Sequence, residues 1–154
     1  MRKRATRGYD AAMILFGGVS ALLTMLMNPH ATEGQSRFLR QPSVSATQIA
    51  FVHANDIWVV GREGGDAWRL TSADGAETEP AFSPDGQWIA FTGEYGGNQD
   101  VYLVAATGGQ PLRLTWHPSA DVVQGWTPEG DILFRSGREG VPTRLWTFYT
   151  VGVE

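Results

Sequence analysis

Ala81-Phe82-Ser83-Pro84-Asp85-Gly86-Gln87-Trp88-Ile89-Ala90-Phe91-Thr92 reads as two short strands around a tight turn. Proline presets φ at the second turn position and glycine accepts the unusual geometry at the last, so Ser83–Gly86 suits a type I turn. A third strand follows at Asp100-Val101-Tyr102-Leu103-Val104-Ala105, closed by Thr107-Gly108-Gly109-Gln110. Paired glycines there permit the positive φ that a two-residue hairpin turn requires. The fourth strand is Pro111–Trp116, where residues alternate in polarity and the leading proline suits a sheet edge. The second and third strands are apolar on both faces, so each needs cover on both sides.

Outward from this unit the chain repeats itself. Arg69-Leu70-Thr71 returns as Arg113-Leu114-Thr115, Gly64-Gly65 as Gly108-Gly109 and Pro84 as Pro128, each 44 positions later. Trp58, Tyr102 and Trp146 share that spacing, and Ile49-Ala50-Phe51, Ile89-Ala90-Phe91 and Ile132-Leu133-Phe134 are one apolar triplet in three copies. The second copy is longer between triplet and aromatic, which places an insertion in the loop Gly93–Gln99. A four-stranded sheet of this length cannot bury both faces alone. Stacked copies around an axis can, and four strands per 40–45 residues is the blade of a β-propeller.

The fold class expected is therefore all-β: an incomplete propeller of about two and a half four-stranded antiparallel blades. The blades run over 38–79, 80–122 and 123–154. The first has a degenerate turn at Ser45-Ala46-Thr47, and the third stops after three strands. The expected whole is the N-terminal part of a longer protein. Its open sheet edge is a liability, and the isolated chain is expected to be marginally stable.

Composition fits that architecture. The 154 residues are 42% hydrophobic and 18% charged, with 19 Gly, 8 Pro and 6 Trp, which excludes a disordered or collagenous chain. A net charge of -4 argues against a nucleic-acid partner. The absence of cysteine excludes disulfides, thiolate metal sites and a cysteine nucleophile. The front of the chain is different. Arg2, Lys3, Arg4 and Arg7 precede an uncharged apolar run from Ala11 to Met27, broken by Asn28-Pro29-His30-Ala31. Residues 1–31 read as a hydrophobic helix serving as a secretory signal peptide or an uncleaved N-terminal anchor, followed by a linker over 32–37. Both readings put the domain outside the cytoplasm, in the periplasm or beyond, with membrane contact only through that segment.

Phe82–Phe91 resembles the repeats of TolB-like periplasmic propellers and of the N-terminal propeller of tricorn-type serine proteases. The finer match is to the second group. It lies in Phe91-Thr92-Gly93-Glu94-Tyr95-Gly96-Gly97-Asn98-Gln99-Asp100-Val101-Tyr102, and in Arg113–Val123 continuing through Gly125-Trp126-Thr127-Pro128-Glu129-Gly130. Leu39-Arg40-Gln41-Pro42, Ile49–Val52 and Asp56–Val60 fit the first blade, so the resemblance covers about Phe38 to Thr150. It implies a segment of a large peptide-degrading serine protease whose propellers screen and channel peptides. Further blades and a catalytic core would lie downstream. That core's motifs are not among these residues, so no catalytic residue is carried over, and no cofactor is expected. The partners implied are peptides or proteins at the propeller face. A TolB-like protein-binding scaffold is the alternative reading, and a propeller-bearing prolyl-oligopeptidase relative a third.

Other constellations weigh less. His117, Ser119 and Asp121 crowd within one loop, too close to converge on a reacting atom as a hydrolytic triad. His53, Asp56 and His117 could ligate a metal but fall at non-equivalent repeat positions. Asp74, Glu77 and Glu79 match no calcium loop and read as solvated loop acids. Gly93–Gln99 lacks the Lys-Ser/Thr of a phosphate loop. Recurrence assigns Trp58, Tyr102 and Trp146 to blade packing, and assigns Arg69 and Arg113 to pairing with aspartates across the blade. The positions that break the repeat are the better candidates for binding: Glu94, Tyr95 and Asn98 in the inserted loop, and Arg135 and Arg138 in the 135–144 loop.

Overall fold

The computed structural model describes residues 38–139 and 147–153. The expected leader and linker, Arg144 and Trp146 lie outside them. Within the described residues the chain forms β1 (Arg40–Val44), β2 (Gln48–His53), β3 (Asp56–Gly61), β4 (Trp68–Arg69), β5 (Ala76–Phe82), β6 (Trp88–Glu94), β7 (Asp100–Ala105), β8 (Leu112–Arg113), β9 (Asp121–Trp126), β10 (Ile132–Ser136) and β11 (Thr147–Val151). These make three antiparallel sheets in order β1-β2-β3-β4, β5-β6-β7-β8 and β9-β10-β11. The architecture is an incomplete propeller, two four-stranded blades and a third of three described strands.

Period-2 alternation sorts each blade's side chains between its two neighbours. On one face of the middle blade Ile89, Phe91, Tyr102 and Val104 join Ala50, Val52, Ile57 and Val59 of the first blade in one buried cluster. On the other face Ala90, Val101 and Leu103 join Val123, Ile132 and Phe134 of the third. That is why β6 and β7 are apolar throughout, and both are buried along almost their whole length. The turn Ser83–Gly86 forms as read: the Gly86 amide donates to the Ser83 carbonyl at 2.8 Å, and Gly86 takes a φ of 72.

Three features depart from the sequence reading. First, β5 begins at Ala76, several residues ahead of the expected Ala81. A register shift between Thr78 and Ala81, with Glu79 at a φ of 53, carries the strand past Pro80, which has no amide hydrogen for the ladder. Second, the outer strands are short: pairing in the expected Pro111–Trp116 is confined to Leu112 and Arg113. Third, the aromatic equivalent to Trp58 and Tyr102 is Tyr149, not Trp146. Phe51 pairs with Trp58, Phe91 with Tyr102 and Phe134 with Tyr149. The connection between β10 and β11 is longer than its counterparts, so the constant spacing misplaces the third aromatic by three residues.

Candidate functional site

The repeated Arg-Leu-Thr triplet builds a clasp in each complete blade. Arg69 donates through Nη2 to Asp56 Oδ1 at 2.9 Å and through Nε to the Thr71 carbonyl at 3.0 Å. Arg113 does the same to Asp100 Oδ2 at 2.6 Å and to the Thr115 carbonyl at 2.8 Å. The threonine hydroxyls then accept the amides of Ile57 and Val101, both at 3.0 Å. This is the arginine–aspartate pairing expected from recurrence. It ties each outer strand to the strand inside it.

The inserted loop turns inward at one residue and outward at others. Tyr95 lays its ring against Tyr102, with centroids 4.5 Å apart, and its hydroxyl donates to Glu77 Oε1 at 2.5 Å. Asn98 donates to the His117 carbonyl at 2.8 Å, while Glu94 is exposed. In the third blade Arg138 holds the position of Tyr95. Its guanidinium lies 4.7 Å from the Tyr149 ring and 5.1 Å from the Phe134 ring, and Nη2 donates to Asp121 Oδ2 at 2.8 Å. Arg135 is half-buried in β10, opposite Phe148. Tyr95 and Arg138 thus cap successive blades, each over an aromatic pair and each bonded to an acid on its blade's first strand.

Those acids are the residues that the sequence reading missed. Glu77 was expected to be a solvated loop acid, but it has no exposed surface. It sits in β5, which starts earlier than expected, and accepts the Ile57 amide at 3.0 Å together with the hydroxyls of Thr71 and Tyr95. Asp121, at the equivalent position 44 residues on, is likewise fully buried. The recurrence of an acid at 77 and 121 was the signal available. Asp74 is exposed and Glu79 is bonded by Gln41 at 2.7 Å, so the three acids weighed for calcium do not converge. Nor do the triad residues: His117 Nδ1 accepts the Ser119 amide at 3.1 Å, whereas Asp121 serves Arg138. His53 packs edge-on against Trp58 at 5.5 Å, and no group of three or more potential ligands gathers for a metal among the described residues.

Between the first two blades lies an open crevice of about 460 Å³, lined among others by Leu70, Thr71, Tyr95, Tyr102, Pro111 and Arg113. It offers apolar surface, hydroxyls and one arginine, groups suited to noncovalent contact with a polypeptide.

Radial stacking of repeated antiparallel sheets defines a β-propeller segment. Residues 36–154 match the tricorn protease N-terminal β-propeller domain, and the chain belongs to that family. Over 60 residues it is 43% identical to a putative tricorn protease homolog 2 of Streptomyces coelicolor, covering 38% of this chain and 5% of that protein. Tricorn protease homolog 1 of the same organism is 34% identical over 55 residues, 36% of this chain and 5% of the relative. The chain therefore matches only a small part of these proteins. Among solved structures, the crystal structure of the tricorn protease has a TM-score of 0.58 at 24% identity, over 64% of this chain and 11% of that one, a likeness of fold. TolB from Acinetobacter baumannii has a TM-score of 0.59 at 26% identity, over 73% of this chain and 29% of that one.

Proposed function

We propose that this chain is a non-catalytic propeller segment of an exported tricorn-like serine peptidase, where it screens or channels peptide substrates. The observation that carries the reading is the match of residues 36–154 to the tricorn N-terminal propeller domain. The basic head and apolar run of residues 1–31 support export. Glu94, Tyr95, Asn98, Arg135 and Arg138 remain the candidate contact residues. Because Tyr95 and Arg138 are engaged in capping, the exposed Glu94 and the crevice beside Tyr102 are the more accessible surface. Titrating labelled unstructured peptides of graded length into the chain tests the reading. Binding that grows with peptide length supports it. Failure to bind any extended peptide while retaining a folded envelope protein would overturn it. That second result would favour a TolB-like protein-binding scaffold, the alternative that the 26% identity to TolB supports. Fusion of residues 1–37 to a reporter active only outside the cytoplasm tests export separately.

A further inference from the structure

Where the second blade meets the third, the turn Ser83–Gly86 and its repeat Thr127–Gly130 stand side by side. Between them is a cleft of about 290 Å³ lined by Pro84, Asp85, Trp88, Trp126, Pro128 and Glu129, with Ser83, Gly130 and Val153. From these residues we infer that the cleft binds a cationic side chain, lysine or arginine, presented by a peptide or protein. The inference holds whether the propeller belongs to a peptidase or to a scaffold.

The walls suit a cation. Tryptophan gives the strongest cation–π contact of the aromatic side chains. Trp88 is 39% exposed, so part of its ring is open to a ligand. Trp126 is fixed rather than floppy, because its indole Nε1 donates across the seam to the Ala81 carbonyl at 2.9 Å. Among the described residues, the charged side chains lining the cleft are the acids Asp85 and Glu129. Asp85 is held in place at Oδ1 by the Ser83 hydroxyl at 2.5 Å and the Gln87 amide at 3.0 Å. The same bonds, that of Ser83 first, keep its carboxyl below the usual range, so it is anionic at neutral pH.

The equivalent place between the first and second blades lacks the indole pair and one of the two acids, keeping only Asp85 where Glu129 stands. Gln48, paired with Gly61, stands where Trp88 pairs with Ala105, and buried Phe82 stands where Trp126 does. Ser45-Ala46-Thr47 replaces the turn that carries Asp85. Blade packing alone requires neither the indole pair nor a second acid, since the other seam packs without them.

The test is a titration of the full chain with three blocked tripeptides, Gly-Lys-Gly, Gly-Arg-Gly and Gly-Gln-Gly, followed through the indole N–H resonances of its tryptophans. The lysine and arginine peptides should shift the Trp88 and Trp126 signals in a salt-sensitive way, and the glutamine peptide should not. Trp88→Leu should weaken binding about two- to five-fold, the share of one partly exposed ring. Glu129→Gln, at an exposed position outside the turn's bonding, should weaken it while leaving the spectrum of the free chain unchanged. Equal shifts with the glutamine peptide, shifts confined to Trp58 or Trp116, or full affinity in both variants would each overturn the inference.

Discussion

Tyr95 donates its hydroxyl to Oε1 of Glu77 at 2.5 Å, so a residue from an inserted loop completes the bonding of a carboxylate with no exposed surface. The same carboxylate takes the Ile57 amide of the preceding blade at 3.0 Å, which makes it a joint between blades. Tyr95→Phe keeps the ring on Tyr102 and removes one donor. A buried acceptor left short costs about 1–3 kcal/mol. The expected outcome is a lower urea midpoint at unchanged slope. In a Glu77→Gln background the same change should cost measurably less, because the two residues share one interaction. Equal losses in both backgrounds would show that the hydroxyl does not act through Glu77.

Alkaline pH should loosen the same joint. Burial first, and then the hydrogen bond and charge of Glu77, push the Tyr95 phenol far above its ordinary 10.0. Tyr102 is also raised, chiefly by burial. A raised phenol favours the neutral form in the folded chain, whereas the unfolded chain ionises near 10.0. This contribution to stability is therefore fully present below that value and is lost as pH climbs beyond it. Urea unfolding between about pH 8 and about pH 11 should show a plateau and then a fall, with a shallower fall in Tyr95→Phe. An unaltered slope in the variant would remove Tyr95 as its source.

Most of the architecture was legible because its causes are local. Pro84 and Gly86 set a turn, Gly108 and Gly109 set a hairpin, and the double-sided apolar pattern of β6 and β7 demanded a neighbour on each side. The Arg69 and Arg113 clasps followed from recurrence alone. What escaped depended on register and distance in space. A bulge at Glu79 lengthened β5 and drew Glu77 into the seam, which no local pattern announces. The longer β10–β11 connection moved the third aromatic to Tyr149. The cleft between Trp88 and Trp126 exists only because two turns 44 residues apart become neighbours.

Gly93 packs tightly under the loop. A Cβ there would lie 2.8 Å from Cδ2 of Tyr102 and 3.1 Å from Cζ of Tyr95. Both rings are already held, one by its neighbours in the core and the other by Glu77. Gly93→Ala should therefore destabilise by about 1–3 kcal/mol through overpacking. At Gly96, by contrast, nothing lies within 4 Å of the added carbon, and Gly96→Ala should stay within about 0.5 kcal/mol of the parent. Thermal melts of the two variants decide the matter, and equal melting temperatures would contradict the packing described.

The three arginine–aspartate pairs rank by burial rather than by distance. Arg69–Asp56 at 2.9 Å has side chains 47% and 9% exposed, Arg113–Asp100 at 2.6 Å has 38% and 2%, and Arg138–Asp121 at 2.8 Å has 27% and 0%. Arg69 is the most exposed of the three cations, so water softens the loss of its pair and Arg69→Ala should cost least of the three. Arg138→Ala strips the cation from a carboxylate that water cannot reach, and about 3–5 kcal/mol is the usual penalty for an uncompensated buried charge. It also uncovers the Tyr149 and Phe134 rings. Arg113→Ala should fall between the two. Asp121→Asn added to Arg138→Ala removes the orphaned charge and should recover part of the loss, whereas the lost ring cover should persist. If instead the three alanine variants unfold at one urea concentration, or Asp121→Asn rescues nothing, then Arg138 holds the third blade by packing alone.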